Sequence, residues 1–321
     1  MNDQIKTVGL IGCGSVAFQW YKDILKSYFS SSLKFFYDID PGAALSLAKL
    51  CDGESTSLQE LIDKSDFIII TTPPDSHYEL LLKSIKKGKV VFCEKPFLLS
   101  KANTKEIIAL QNSQNATVYA GYVRRFFSAP NVAKEFIKTK LLGEILKVEI
   151  FEGGRFTWNS NSGYHINNKY GGVLLDTGSH SIDTLLYVLG LDAIPLNFSL
   201  LSRQRIPATE PSHVFKAKFT IKYQQNIEGS IFLSRRTSLA NKINIYGEMG
   251  MMEVPLDLKS MVKITTPYGK SILREKYPII SIDQAFSSQF QHILNESGEL
   301  LKASRFLNTV ALCETLITDS L

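Results

Sequence analysis

Residues 8–17, VGLIGCGSVA, carry an apolar run, Val8 to Ile11, directly into the glycine turn Gly12-Cys13-Gly14. This reads as strand, tight turn and helix. In a dinucleotide fold Gly12 makes the turn, Gly14 lets the backbone approach a pyrophosphate, and small Ala17 lets the helix pack closely on its strand. Ser15 and Val16 then open the helix, and the pyrophosphate sits at its N-terminus. A bare G-x-G-x-x-A recurs by chance, so its context decides.

Working outward, residues 18–29 form the crossover helix, and Leu33 to Tyr37 (LKFFY) a second strand that stops at Asp38. A carboxylate at this strand end, near the usual offset of about 20 residues, accepts hydrogen bonds from the ribose hydroxyls and repels a 2′-phosphate. NAD is therefore favoured over NADP, with Asp40 a second candidate, although Asp before Pro41-Gly42 is also ordinary turn chemistry. Alternation continues with helices near 42–50 and 58–62, the buried strand Asp66 to Thr71, and the loop Thr72-Pro73-Pro74-Asp75. Asp75 is the expected N-cap of a helix through Lys87. Lys89 to Cys93 is another strand, running into Glu94-Lys95-Pro96. The pattern predicts an α/β chain with a doubly wound parallel sheet, whose ligand lies at the carboxyl ends of its strands. Both Thr72-Pro73 and Glu94-Lys95-Pro96 stand at such ends.

A second informative stretch is GGVLLDTGSHSIDTLLYVLG, residues 171–190. On a helical wheel Leu174, Leu175, Ile182, Leu185, Leu186 and Leu189 share one side, while Asp176, His180, Asp183, Thr184 and Tyr187 share the other. Asp176 and His180 are i and i+4, which stacks a carboxylate against an imidazole that titrates near neutral pH. The polar side is a solvated face, or Asp176 caps a helix that starts one residue later, or the pair is part of an acid–base site.

With 321 residues and 44% hydrophobic content, the chain is long and apolar enough for two cored domains. The N-terminus shows no secretory signal, and no stretch is long and apolar enough to span a bilayer. Cys13, Cys51, Cys93 and Cys313 lack metal-ligand spacing, which fits a reducing cytoplasm. The five histidines form no metal motif, so no metal is expected. Net charge is +5, with the densest cations, Lys83, Lys86, Lys87 and Lys89, around a helix end, where they complement the helix dipole rather than mark a nucleic-acid surface.

Taken in order, GCGSVA at Gly12, TTPPDSH at Thr71 to His77, CEKP at Cys93 to Pro96, GYVRRF at Gly121 to Phe126 and GGVLLDTGSH at 171–180 resemble the glucose-fructose oxidoreductase, inositol dehydrogenase and rhizopine catabolism family, Gfo/Idh/MocA. The resemblance covers nearly the whole chain. It implies an N-terminal Rossmann domain, residues 1–122, and a C-terminal α/β domain, 123–321, with an open, mainly antiparallel sheet that binds substrate and mediates oligomerisation. Lys95, Asp176 and His180 are its implied catalytic residues in a cleft between domains, and a cis bond is implied before Pro96. The implied cofactor contacts are Gly12, Gly14, Ser15, Val16, Ala17, Asp38, Thr71, Thr72, Pro73, His77, Glu94 and Lys95.

Alternating segments at 145–152, 213–221, 227–233, 242–246 and 251–254 predict the antiparallel sheet, with late helices at 282–295 and 306–316. Arg235 and Arg236 either project from the sheet toward substrate or face water, and water is the favoured expectation. Residues 155–170 read as a polar, aromatic, substrate-facing loop, where Trp158, Tyr164, His165, Asn167 and Lys169 are candidate sugar contacts, although such loops also bury aromatics against their own domain. Tyr122 and Arg124 line the cleft or merely lock the domains. The expected partner is a carbohydrate-like small molecule, with neither nucleic acid nor membrane, in a homodimer or homotetramer. The expected chemistry interconverts a secondary ring hydroxyl and a ketone on a sugar, cyclitol or nucleotide sugar. Two other roles within the fold stay open: glycoside cleavage with NAD as a relay, and non-catalytic sensing of a sugar or cofactor.

Overall fold

The computed structural model describes residues 5–155, 172–204, 212–258, 261–272, 280–295 and 298–318. They form two compact units, one of Met1–Tyr122 with Phe286–Arg305, the other of Val123–Ala285 with Phe306–Leu321. Residues 286–305 thus group with the N-terminal unit, where the expected division assigned all of 123–321 to the second domain.

In the first unit the chain alternates: β1 (Thr7–Ile11), α1 (Lys22–Tyr28), β2 (Leu33–Tyr37), α2 (Pro41–Leu50), β3 (Glu54–Ser55), α3 (Leu58–Lys64), β4 (Phe67–Ile70), α4 (His77–Ile85), β5 (Val90–Glu94), α5 (Lys101–Ser113) and β6 (Thr117–Gly121). The six strands lie in the order β3-β2-β1-β4-β5-β6, all parallel. Phe67 to Ile70 have no exposed surface at all, as a strand covered on both faces requires. Helix starts follow side-chain chemistry: Asp40 accepts the Gly42 N–H at 2.8 Å, and Ser100 the Ala102 N–H at 3.2 Å. The Asp75 cap expected for α4 is not formed. Pro74–Ser76 make a 3₁₀ turn instead, leaving Asp75 exposed inside it, because Pro74 suits a first helical position.

The second unit continues with α6 (Ser128–Lys138), β7 (Ile145–Gly153), α7 (Ser179–Val188), β8 (Asn197–Arg203), β9 (Val214–Lys222), β10 (Asn226–Ser234), β11 (Lys242–Gly247), β12 (Gly250–Pro255), β13 (Lys263–Thr266) and β14 (Gly269–Ile272). Helix α8 (Ile282–Asn295) comes next, then α9 (Leu307–Ile317). The eight strands take the order β14-β13-β12-β11-β7-β10-β9-β8. Every pairing is antiparallel except β7 with β10, which is parallel. Period-2 alternation selects the buried face: Phe215, Ala217, Phe219 and Ile221 of β9 are buried, Lys216, Lys218 and Lys222 exposed. Helices α6, α7 and α9 pack together over this sheet.

Within the first unit, an aromatic cluster holds the part of α8 from Phe286 onward. Phe286 stacks on Trp20 at 4.9 Å, and Phe290 meets Tyr21, Phe29, Phe67 and Phe92 with centroids 4.9–6.3 Å apart. Among the described residues no helix is long and apolar enough to cross a membrane, and no group of three or more His, Cys, Asp or Glu side chains is placed to hold a metal ion.

Candidate active site

In the first unit, Gly12 has φ +97°, and a Cβ there would stand 2.7 Å from the Thr72 backbone nitrogen. Only glycine fits that turn. Its N–H donates to the Tyr37 carbonyl at 2.8 Å, and its carbonyl accepts the Thr71 hydroxyl at 2.5 Å, so the loops after β1 and β4 fix each other. A Cβ on Gly14 would meet nothing within 4 Å, and Gly14 and Ser15 are exposed. That open backbone at a helix start, with Val16 half-buried behind it, fits a pyrophosphate. Ala17 is fully buried and begins a π-helical turn, Ala17–Tyr21, that leads into α1.

Asp38 is half-buried at the end of β2. Its carboxylate accepts the Cys13 N–H at 2.6 Å and the Asp40 N–H at 2.8 Å, which orients it beside the glycine loop. Asp40 is engaged as the cap of α2. Burial, then the Asp38 charge, pushes the Cys13 thiol up to about 12, so this loop cysteine is no nucleophile.

Lys95 lies directly after β5, half-buried, and the Lys95-Pro96 bond is cis. Two clamps hold its turn. The fully buried Glu94 side chain accepts the Lys95 N–H at 2.8 Å with one oxygen and the Tyr21 hydroxyl with the other. Burial raises the Glu94 carboxyl above its ordinary value, against the pull of Tyr21 and Lys95. His77, also fully buried, bridges the Pro96 and Phe97 carbonyls (3.1 and 3.2 Å from Nδ1) and the Thr72 carbonyl (2.9 Å from Nε2). Three acceptors face a ring that burial holds below its ordinary pKa. His77 and Glu94 therefore sit behind the turn, joining the Thr72-Pro73 loop to Lys95. Pro73 itself is exposed. Tyr122 is 1% exposed, its hydroxyl 3.4 Å from the Phe97 N–H it accepts.

In the second unit the 171–190 stretch is not one amphipathic α-helix. Leu174–Gly178 form a π-helical turn ahead of α7, and Asp176 lies within it. The polar side of α7 is not solvated either, since Asp183, Thr184 and Tyr187 are all buried. Asp183 pairs with the fully buried Arg125, whose Nε and Nη2 donate at 3.0 and 2.6 Å, while Nη1 reaches Asp192 at 2.9 Å. Arg124 is bidentate on Glu152, which also accepts the Ser181 hydroxyl.

Asp176 and His180 are both half-buried, and the Asp176 carboxylate pairs with the Arg235 guanidinium. Arg235 does not face water as expected. It is 19% exposed, at the end of β10, where alternation from Ile231 and Leu233 turns residue 235 to the inner side. That parity was the available signal. The π turn reaches this strand end because residue 178 is glycine: a Cβ there would stand 2.6 Å from Leu233 Cδ1. Nothing comparable in the sequence announces the Tyr21–Glu94 contact. Trp158, Tyr164 and the rest of the aromatic loop from 156 lie outside the described residues.

Comparison with known proteins adds the context. Residues 6–122 match a family described as an oxidoreductase family with an NAD-binding Rossmann fold, and residues 131–253 match the Gfo/Idh/MocA C-terminal domain. The glucose-6-phosphate 3-dehydrogenase of Bacillus subtilis (strain 168) is 28% identical over 244 residues, 73% of this chain and 68% of that protein. An inositol 2-dehydrogenase/D-chiro-inositol 3-dehydrogenase of Lactiplantibacillus plantarum is 20% identical over 312 residues, 92% of this chain and 84% of that one. The crystal structure of an inositol dehydrogenase homologue from Azotobacter vinelandii, complexed with NAD+, superposes with TM-score 0.78 at 16% identity, covering 97% of this chain and 94% of that chain, a likeness of fold. With both of its domains matched over most of its length, the chain belongs to the Gfo/Idh/MocA family and is an oxidoreductase with an NAD-binding Rossmann domain.

Proposed function

We propose that the protein interconverts a secondary ring hydroxyl and a ketone on a sugar, cyclitol or nucleotide sugar. The observation that carries this reading is the placement of Lys95. It emerges at the carboxyl end of β5, in the same row of loops as Gly12–Ala17 after β1 and Thr71-Thr72 after β4, where open parallel sheets hold ligands. Bound NAD supplies the hydride acceptor or donor at C4 of its nicotinamide. Asp38 takes the adenosine ribose hydroxyls and disfavours a 2′-phosphate. His180 takes the hydroxyl proton as general base, Asp176 orients the substrate or the imidazole, and the Lys95 ammonium polarises the reacting oxygen. Lys95 and His180 can exchange the proton-transfer role. The second unit binds substrate, and the protein works as a homodimer or homotetramer in the cytoplasm.

The test is NADH absorbance with a panel of sugars, cyclitols and nucleotide sugars. At least one is expected to reduce NAD, and His180→Ala should keep NAD affinity while turnover falls roughly 10²- to 10⁴-fold. Near-native turnover in that variant removes His180 from the mechanism.

A further inference from the structure

Among the described residues, one end of the C-terminal sheet carries more positive charge than its carboxylates neutralise. Strands β7 and β10 run parallel with Gly153 opposite Ser234, and the Gly154 N–H donates to the Ser234 carbonyl at 3.0 Å. Their carboxyl ends therefore leave the sheet side by side. Arg155 comes next on one, Arg235 and Arg236 on the other. His213 precedes the adjacent β9 and accepts the Arg235 N–H on its carbonyl at 2.7 Å. Among the described residues two carboxylates stand here, and each has a guanidinium: Glu152 is held by Arg124, and Asp176 by Arg235.

Arg155 and Arg236 are exposed, and among the described residues neither guanidinium makes an ion pair or hydrogen bond. Arg236 is held in place through its backbone, whose N–H donates to the Ser234 hydroxyl at 3.1 Å alongside that of Thr237 at 3.0 Å. It lies near enough to His213 that its charge, after burial, keeps that imidazole below its ordinary value. A planar guanidinium without a partner suits bidentate capture of a carboxylate or phosphate. An ionised Asp176 would repel such an anion, and Arg235 cancels that charge at contact distance.

The geometry points to a substrate that bears an anionic group, a carboxylate or a phosphate monoester, held by Arg236 and Arg155 while Arg235 neutralises Asp176. This assignment rests on the oxidoreductase reading above and narrows its substrate class.

The deciding experiment titrates the NAD-loaded protein by calorimetry with aldoses and cyclitols, each offered as the neutral compound, its carboxylate and its phosphate monoester. At least one charged form should bind roughly 100-fold or more tightly than its neutral parent. Arg236→Gln and Arg155→Gln should each narrow that gap roughly 10- to 100-fold, the worth of a hydrogen bond to a charged group. Which arm responds names the anion. If no charged form binds more tightly than its parent, or if the gap survives both substitutions, the assignment is overturned. NADH formation is measured separately on the same panel. Tight binding of charged forms without any NADH counts against the redox chemistry alone, whereas NADH from neutral compounds with no charged preference counts against the anion site alone.

Discussion

Asp38 joins two tasks at one side chain. Its carboxylate closes onto the Cys13 and Asp40 amides, so it shapes the glycine loop, and in the proposed function it also takes the ribose hydroxyls. Asp38→Ser should therefore weaken NAD and relax discrimination against NADP; fluorescence titration with both cofactors checks this, and unchanged preference would reject the assignment. His77 presents a different case, a buried ring among three carbonyls whose pKa burial lowers. The unfolded chain protonates this histidine from about pH 6.5 downward, while the folded chain resists until a lower pH. Its contribution to stability is thus complete above about pH 6.5 and is lost as pH falls from there through the folded value. Urea unfolding between pH 8 and 5 should show wild type losing stability relative to His77→Gln on the acid side. Parallel pH curves for the two proteins would show that His77 has no part in acid lability.

Two π-helical turns, Ala17–Tyr21 and Leu174–Gly178, interrupt stretches that the apolar periodicity reads as plain helices. Such turns shift the register of the helix beyond them, and here each carries a residue that matters: Tyr21 braces Glu94, and Asp176 meets Arg235. Helical-wheel reasoning cannot foresee them, because it assumes one constant angle per residue. The second turn depends on Gly178 lying against Leu233 and Leu174, whose side-chain ends would stand 2.6 and 3.0 Å from an added Cβ. Gly178→Ala should cost about 1–3 kcal/mol, the usual penalty for overpacking a core, and lower kcat more than NAD affinity by displacing Asp176. Thermal unfolding and steady-state kinetics measure both; full activity at an unchanged Tm would mean that the contact has no role.

At the scale of the whole chain, each unit has its own sheet and core, and the first holds the elements that fit NAD. Ligand binding stabilises the state that binds it, by about 2.7 kcal/mol at a hundredfold excess over Kd. Added NAD should raise hydrogen-exchange protection in β1, β4 and β5 by that amount. Protection that does not change with NAD would place the cofactor elsewhere. Much of this architecture was legible beforehand. The apolar runs at 8–11, 33–37, 66–71 and 89–93 lie at or within a residue or two of parallel strands, and the alternation of 213–221 and 227–233 marks β9 and β10. Periodicity and glycine chemistry are local properties, and they are written along the chain. Strands β3 and β6 at the edges of the first sheet and β8, β13 and β14 of the second were not foreseen: edge strand β8 buries no residue fully, and β3, β13 and β14, two to four residues long, are too short to show a period. Pairings escaped for a different reason. Arg235 with Asp176, Arg125 with Asp183 and Asp192, and Tyr21 with Glu94 join residues dozens of positions apart, and an unsatisfied charge or hydroxyl does not declare its partner in sequence. The amino-acid order by itself determined the two kinds of sheet, the glycine loop and the Lys95, Asp176 and His180 candidates. Which polar groups pair with one another was decided only when packing excluded water from some of them and left others exposed.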